Sequence, residues 1–115
     1  MEAEWRTQKL AHYRELLGAL SDAAIHGINH DRAQERFANA FNTVALVAPQ
    51  GVIDALLAFH DEIKSSNPNP SLERHDELLV QLMLEIRRDI GVSPADDPSS
   101  FRFRLIGRVP AKKAV

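Results

Sequence analysis

Apolar and polar positions alternate most regularly between residues 71 and 91, where apolar side chains recur at intervals of three and four residues. This spacing is typical of one buried helix face. Ser71 stands where a helix N-cap is expected, and Gly91 where a glycine ends a helix in the left-handed conformation. Arg87 and Arg88 precede that glycine, where cations favour the helix dipole. The segment therefore predicts a helix whose apolar positions are Leu72, His75, Leu78, Leu79, Leu82, Met83, Ile86 and Ile90.

The same spacing predicts a first helix over residues 3–24 and a second helix from Arg32 that carries its apolar stripe to Val47. Asp31 precedes the second helix with Gln34 three residues later, which is the capping-box arrangement.

Pro49 interrupts the apolar pattern after the second helix. Proline disfavours helical backbone at the preceding residue but suits the first turn of a new helix. Residues 48–51 could therefore hold either a kink or a break, and we favour a break followed by a third helix over residues 50–64. Residues 65–70, with two prolines and two asparagines, end that helix.

The chain after Gly91 changes character. Residues 93–100 are rich in Pro, Asp and Ser and predict a linker, after which Phe101, Phe103 and Leu105 alternate with two arginines. Alternation over so few residues allows a strand that pairs with a partner's sheet edge or with its twin in a dimer, or an extended arm that lies against the helices. We favour the arm.

These elements predict an all-α fold, an antiparallel bundle of about four helices with an extended C-terminal arm. Residues 1–91 form the predicted bundle domain, and residues 92–115 form the linker and the basic, aromatic extension. A length of 115 residues fits one domain with a single core.

Charge is distributed unevenly. The 16 acidic and 9 basic residues of positions 1–100 give the body a net charge of -7, whereas the last fifteen residues carry five cations and no acid. Such a tail can lie against its own acidic body or that of a neighbouring subunit, or bind nucleic acid or an anionic surface. Five charges form only a small basic patch, so we favour a tail that lies against its own acidic body or that of a neighbouring subunit. The basic tail consists of Arg102, Arg104, Arg108, Lys112 and Lys113.

The sequence contains no cysteine, which excludes disulfides and thiolate metal sites and fits a cytoplasmic protein. It also lacks an apolar run of the roughly 20 residues that a membrane span needs. No glycine-rich phosphate loop or nucleophile elbow occurs, and we predict no cofactor and no bound metal.

One feature suggests catalysis. The dipeptide His-Asp occurs three times, and helical metal-dependent phosphohydrolases of the HD type hold a metal with such a pair. In the best assignment, His30, the pair His60-Asp61 and the later Asp89 would be the ligands. Asp31, however, is better explained as a helix cap. A small HD-like phosphohydrolase is therefore an alternative hypothesis. We favour the interpretation that the protein is not an enzyme.

Trp5, the pair Ala48-Pro49, the pair Leu78-Leu79 and the helix ending at residues 86–91 resemble, in this order, a family of uncharacterised bacterial helical proteins. The resemblance covers roughly residues 5–91. It implies an antiparallel helical domain of unknown activity, which follows a membrane anchor in some longer relatives. This chain departs from the pattern by showing no anchor and by adding the basic aromatic extension, and the resemblance assigns no functional residues.

Together these observations favour a non-enzymatic interaction or self-assembly module. We expect the chain to form a homodimer, and a different protein partner is the other option. The fourth helix is apolar over more than one stripe, and the extension adds two aromatic side chains. The predicted contact residues are Leu78, Met83, Phe101 and Phe103.

Overall fold

The computed structural model describes residues 2–26, 31–64 and 66–105, and the predicted all-α class is confirmed. These residues contain four helices and no strand, and none of the four is long and apolar enough to cross a membrane. The helices are α1 (Glu2–His26), α2 (Asp31–Val44), α3 (Gln50–Ile63) and α4 (Leu72–Ile90).

The helices pair as two antiparallel hairpins. α1 packs along α2, and Arg36 of α2 donates to the carbonyl oxygen of Gly18 in α1. α3 packs along α4 in the opposite direction. The first turn of α3 lies against the last turns of α4, as the approach of Gly51 to the Glu85 side chain shows. The start of α1 reaches the end of α4, where Arg6 donates to the carbonyl oxygen of Ile90. The chain therefore runs up, down, up and down through the bundle.

The break between α2 and α3 is confirmed, but α2 ends earlier than predicted. Its last helical residue is Val44, and the amides of Val47 and Ala48 close a turn onto the Val44 carbonyl at 3.0 and 2.9 Å. Val47 still packs against the core from this turn. Pro49 caps α3 in an extended conformation, as its fixed backbone angle and the restriction on Ala48 require.

Both predicted ends of α4 are confirmed. The Ser71 hydroxyl accepts a hydrogen bond from the Arg74 amide at 3.1 Å, which satisfies one of the free donors of the first turn. Gly91 has a φ of 75°, a backbone conformation that disfavours any residue with a Cβ, and its amide bonds to the carbonyls of Arg87 and Arg88.

The core lies where all four helices face one another. Its largest fully buried side chains are Tyr13 and Leu16 of α1, Val44 of α2, Val52 and Leu56 of α3, and Leu82 of α4.

The segment after α4 is extended and lies against the bundle. Phe103 and Leu105 pack against the core cluster, so the prediction of an arm rather than a strand is confirmed for residues 101–105. We call residues 92–95 the hinge and residues 96–105 the arm.

Candidate interaction surfaces

The two hairpins meet along two seams, and these differ in how their apolar side chains are covered. The α1–α4 seam brings Lys9 and Tyr13 of α1 to Asp89 of α4. The α2–α3 seam brings Phe37 and Phe41 of α2 to His60 of α3. The backbones of α2 and α3 approach each other less closely than the backbones within each hairpin. Side chains therefore fill the space between α2 and α3.

A polar network closes one end of the α1–α4 seam. The Tyr13 hydroxyl donates to Asp89 at 2.6 Å, and the Lys9 ammonium lies 3.1 Å from the same carboxylate. Burial, assisted by the hydrogen bond to Asp89, raises the pKa of Tyr13 far above its usual value. Because these groups are nearly buried, each depends on its partners for the hydrogen bonds it would otherwise make with water. The network fixes the start of α1 to the end of α4.

Arg87 and Asp89 carry opposite charges two positions apart on α4, but they do not pair with each other. Residues two apart on a helix lie about 200° apart around its axis, so they cannot face each other. Asp89 faces α1, and Arg87 instead binds Asp96 of the arm.

The outer face of α4, formed by Val80, Met83, Leu84 and Arg87, is apolar over most of its length. Leu84 is only 6% exposed although it lies about 200° around the helix from the core residues Leu82 and Ile86. The C-terminal arm contacts Arg87, one turn further along on this face.

Two contacts to Arg87 anchor the arm. The guanidinium forms a forked pair with the Asp96 carboxylate at 2.6 and 3.0 Å and lies 5.4 Å from the centre of the Phe101 ring. The hydrogen bonds from Arg87 lower the pKa of Asp96. A turn centred on Asp97 holds these residues together, because its carbonyl accepts from the Ser100 and Phe101 amides. The arm is therefore a small folded unit with one charged anchor.

The four predicted contact residues all lie on α4 or the arm, but mostly inside the chain. Met83 is 8% exposed and Leu78 is half-buried against the core. Phe101 is half-buried beside Arg87, and Phe103 packs against the core cluster. The apolar side chains that looked surplus in the sequence are thus buried or half-buried within the chain. A role for these residues in contact with a second protein remains a prediction.

The α2–α3 seam has a different construction. His60 stacks on Phe37 with ring centres 6.2 Å apart and meets Phe41 edge-on at 6.0 Å. Leu57, one turn earlier on α3, is 45% exposed, whereas Ile53 and Phe41 are half-buried. Phe37 is buried and Phe41 and His60 are half-buried, so Leu57 is the exposed apolar side chain at the edge of this seam in the described part of the chain.

The residues of the phosphohydrolase hypothesis are not brought together. His60 lies near the end of α3 among phenylalanines, Asp61 is exposed and contacts Lys64, and Asp89 lies at the opposite end of the bundle bound to Lys9 and Tyr13. His30 falls outside the described residues. Among the residues that the structure does describe, no three His, Asp or Glu side chains are grouped closely enough to hold a metal ion.

Two members of the predicted basic tail are placed. Arg102 and Arg104 are exposed on the side of the arm opposite the half-buried Phe101, Phe103 and Leu105. The period-two pattern of the sequence is thus used to cover the bundle with one side of the arm. Arg108, Lys112 and Lys113 lie outside the described residues.

The sequence reading missed a buried acid, Glu62. Its carboxylate accepts from the Ser71 amide at 2.7 Å and from Arg74 at 3.0 Å, which ties the end of α3 to the start of α4. The hydrogen bond from the Ser71 backbone is the main reason that the pKa of Glu62 is lowered. A signal was available, since Glu62 continues the apolar stripe of Leu56 and Phe59 at the same helical spacing.

Comparison with known proteins adds no relative: no protein-family model, curated protein or solved structure matches this chain. The resemblance to a family of bacterial helical proteins therefore stays a prediction.

Proposed function

We propose that this protein is a non-enzymatic interaction module that self-associates through the α2–α3 seam. The partial exposure of Leu57, one helical turn before His60 on α3, is the observation that carries the proposal. Three other large apolar side chains are more exposed, but Trp5 lies near the start of α1, Leu46 in a turn and Leu72 in the first turn of α4, and none of them lies on the α2–α3 seam. Isolated apolar residues of that kind are common on protein surfaces, whereas contiguous apolar patches mark contact sites.

A symmetric dimer would use this seam twice, because a two-fold axis places the same patch on both copies. Completing the burial of a half-exposed leucine contributes about 1 kcal/mol, and two copies contribute about twice that. The exposed fraction of Leu57 thus stabilises association without being needed for the folding of one chain.

Sedimentation equilibrium of the full chain over a range of concentrations tests this function. We expect a concentration-dependent dimer, and the variant Leu57→Ser should weaken association at least about tenfold, since about 1.4 kcal/mol corresponds to that factor. The variant Leu72→Ser is the matched control. It removes a leucine that is 77% exposed but outside the seam, and it should leave the dimer unchanged.

The proposal fails if the wild-type chain is a monomer at every concentration. It also fails if the two leucine variants weaken association equally, because the seam would then have no special role.

A further inference from the structure

The C-terminal half of the arm directs alternate side chains to opposite sides. Phe101, Phe103 and Leu105 are half-buried, and the last two pack against the core cluster, whereas Arg102 and Arg104 are exposed. Burial at every second residue is the period of an extended chain, in which the two arginines lie about 7 Å apart on the outer side. Apolar contacts therefore hold one side of the arm on the bundle and leave two cations on the other side.

The backbone of residues 102–105 has no hydrogen-bond partner in the described part of the chain. Its amides and carbonyls form no bond there, whereas the amide of Phe101 bonds to the Asp97 carbonyl at 2.9 Å. Backbone groups without an internal partner bind water or another chain, so an extended segment of this kind is a template for a further strand. Two strands alone are marginally stable, but packing against helices stabilises them, and the arm already packs against helices.

A second copy of the arm is a poor occupant of this template. In an antiparallel pair centred on Phe103, Arg102 of each copy would lie opposite Arg104 of the other. Like charges directly opposite each other destabilise a pair of strands, whereas opposite charges stabilise it. The arginines therefore favour a partner strand that carries acids.

The distribution of charge over the chain directs an acidic partner to the arm. Residues 1–100 carry a net charge of -7, which repels an acidic segment from the helical body, whereas the last fifteen residues carry five cations and no acid. Asp96, at the start of the arm, is paired with Arg87. The outer side of the arm is thus the place where an acidic strand gains opposite charges.

We propose that residues 101–105 bind an extended acidic segment of another protein, which adds to the arm as a strand. The backbone of the segment pairs with the amides and carbonyls of the arm, and acids at every second position lie opposite Arg102 and Arg104. The residues between these acids face the bundle beside Phe103. This contact is separate from the α2–α3 seam and does not rest on the proposed self-association.

Fluorescence anisotropy with a short labelled peptide in which Glu alternates with Val tests the binding. We expect saturable binding to the full chain. The variant Arg102→Glu/Arg104→Glu should weaken it at least about tenfold, because two attractive cross-strand pairs become repulsive. The matched control Arg14→Glu/Arg32→Glu reverses two exposed arginines of α1 and α2 and should change the affinity by less than about twofold. Equal losses in the two double variants would overturn the proposal, since only total charge would then matter.

Two further peptides distinguish strand addition from attraction between charges alone. Both keep every side chain, but one is N-methylated at its Glu residues and the other at its Val residues. Alternate residues of a strand direct their backbone groups to the same edge, so one methylated peptide should bind at least about tenfold more weakly than the other. The bound peptide should also slow hydrogen exchange at alternate amides of residues 102–105. Equal affinities of the two methylated peptides would contradict strand addition.

A single-stranded oligodeoxythymidine with the same charge as the peptide separates an acidic protein segment from a nucleic acid. It should bind more weakly, because it has no amides to pair with the arm. Binding as tight as that of the peptide would assign the arginines to phosphate recognition and overturn the proposal. A peptide that does not bind the wild-type chain would also overturn it, and neither result would affect the self-association, which the Leu57 variants test.

Discussion

The α1–α4 seam and the α2–α3 seam join the same two hairpins, yet more polar contacts close the α1–α4 seam than the α2–α3 seam. The α1–α4 seam is closed at one end by Asp89 with its two partners, and Arg87 on the neighbouring outer face of α4 binds the arm. At the α2–α3 seam one histidine packs against two phenylalanines, and Leu57 stays partly exposed. The difference suggests that the first region serves the folding of a single chain, while the second is free to contact another molecule.

The largest expected effect comes from removing a buried side chain of the outer face of α4. Leu84→Ala should lower the free energy of unfolding by about 3 kcal/mol, because Leu84 is only 6% exposed and its truncation leaves a cavity. The matched variant Leu57→Ala removes the same atoms from the α2–α3 seam and should cost less than about 1 kcal/mol in the monomer. Urea unfolding at low protein concentration measures both. Equal losses would contradict the distinction between the two regions.

A smaller loss is expected from the polar end of the α1–α4 seam. Asp89→Ala leaves the Tyr13 hydroxyl and the Lys9 ammonium without their acceptor, which should cost about 2 kcal/mol. Asp61→Ala removes a carboxylate that contacts only the exposed Lys64, and it should change stability by less than about 0.5 kcal/mol. Thermal unfolding of the two variants side by side gives the comparison. A neutral result for Asp89→Ala would show that the network does not stabilise the seam.

The corresponding change in the α2–α3 seam concerns ring packing. His60→Ala should destabilise the chain by about 1 kcal/mol, because it removes the ring that packs against both Phe37 and Phe41. His60→Phe keeps a ring at that place and should recover most of the loss. Denaturant midpoints of the three proteins measure the effect. A loss in His60→Phe as large as in His60→Ala would mean that the imidazole nitrogens, not the stacking, matter in this seam.

Local signals in the sequence were sufficient to predict α4. Ser71, the spacing of its apolar residues and Gly91 act within one or two helical turns, and the structure shows both caps as predicted. The break at Pro49 was predictable for the same reason. The premature end of α2 was not, because the apolar stripe continues to Val47 and helical spacing alone does not distinguish a last helical turn from a packed turn.

Local signals in the sequence could not predict which side chains at each seam are buried and which stay exposed. Helical spacing showed that α4 has more apolar surface than one neighbour needs, but it does not say whether the arm or another protein covers the excess. Met83 was therefore predicted as an exposed contact residue, whereas it is 8% exposed. Leu57 was overlooked, since in the sequence it is one of six apolar residues of the third helix. Its exposure depends on where α2 lies.

The smallest effect concerns pH and separates the two seams by a spectroscopic signal. Tyr13, the one tyrosine of the chain, has its pKa raised by burial and by Asp89, whereas in the unfolded chain it loses its proton near 10.0. Above that pH the unfolded state binds fewer protons than the folded state, so stability must fall as pH rises through this range and is unaffected below it. At half a pH unit above 10.0 the loss relative to neutral pH should be about 0.8 kcal/mol. The near-ultraviolet absorbance of tyrosinate should appear together with the loss of helical circular dichroism, and Tyr13→Phe should lack this contribution to the pH dependence. If tyrosinate instead formed reversibly near pH 10.0 in a fully helical protein, solvent would reach Tyr13 in the folded state. The α1–α4 seam would then be no better closed than the α2–α3 seam.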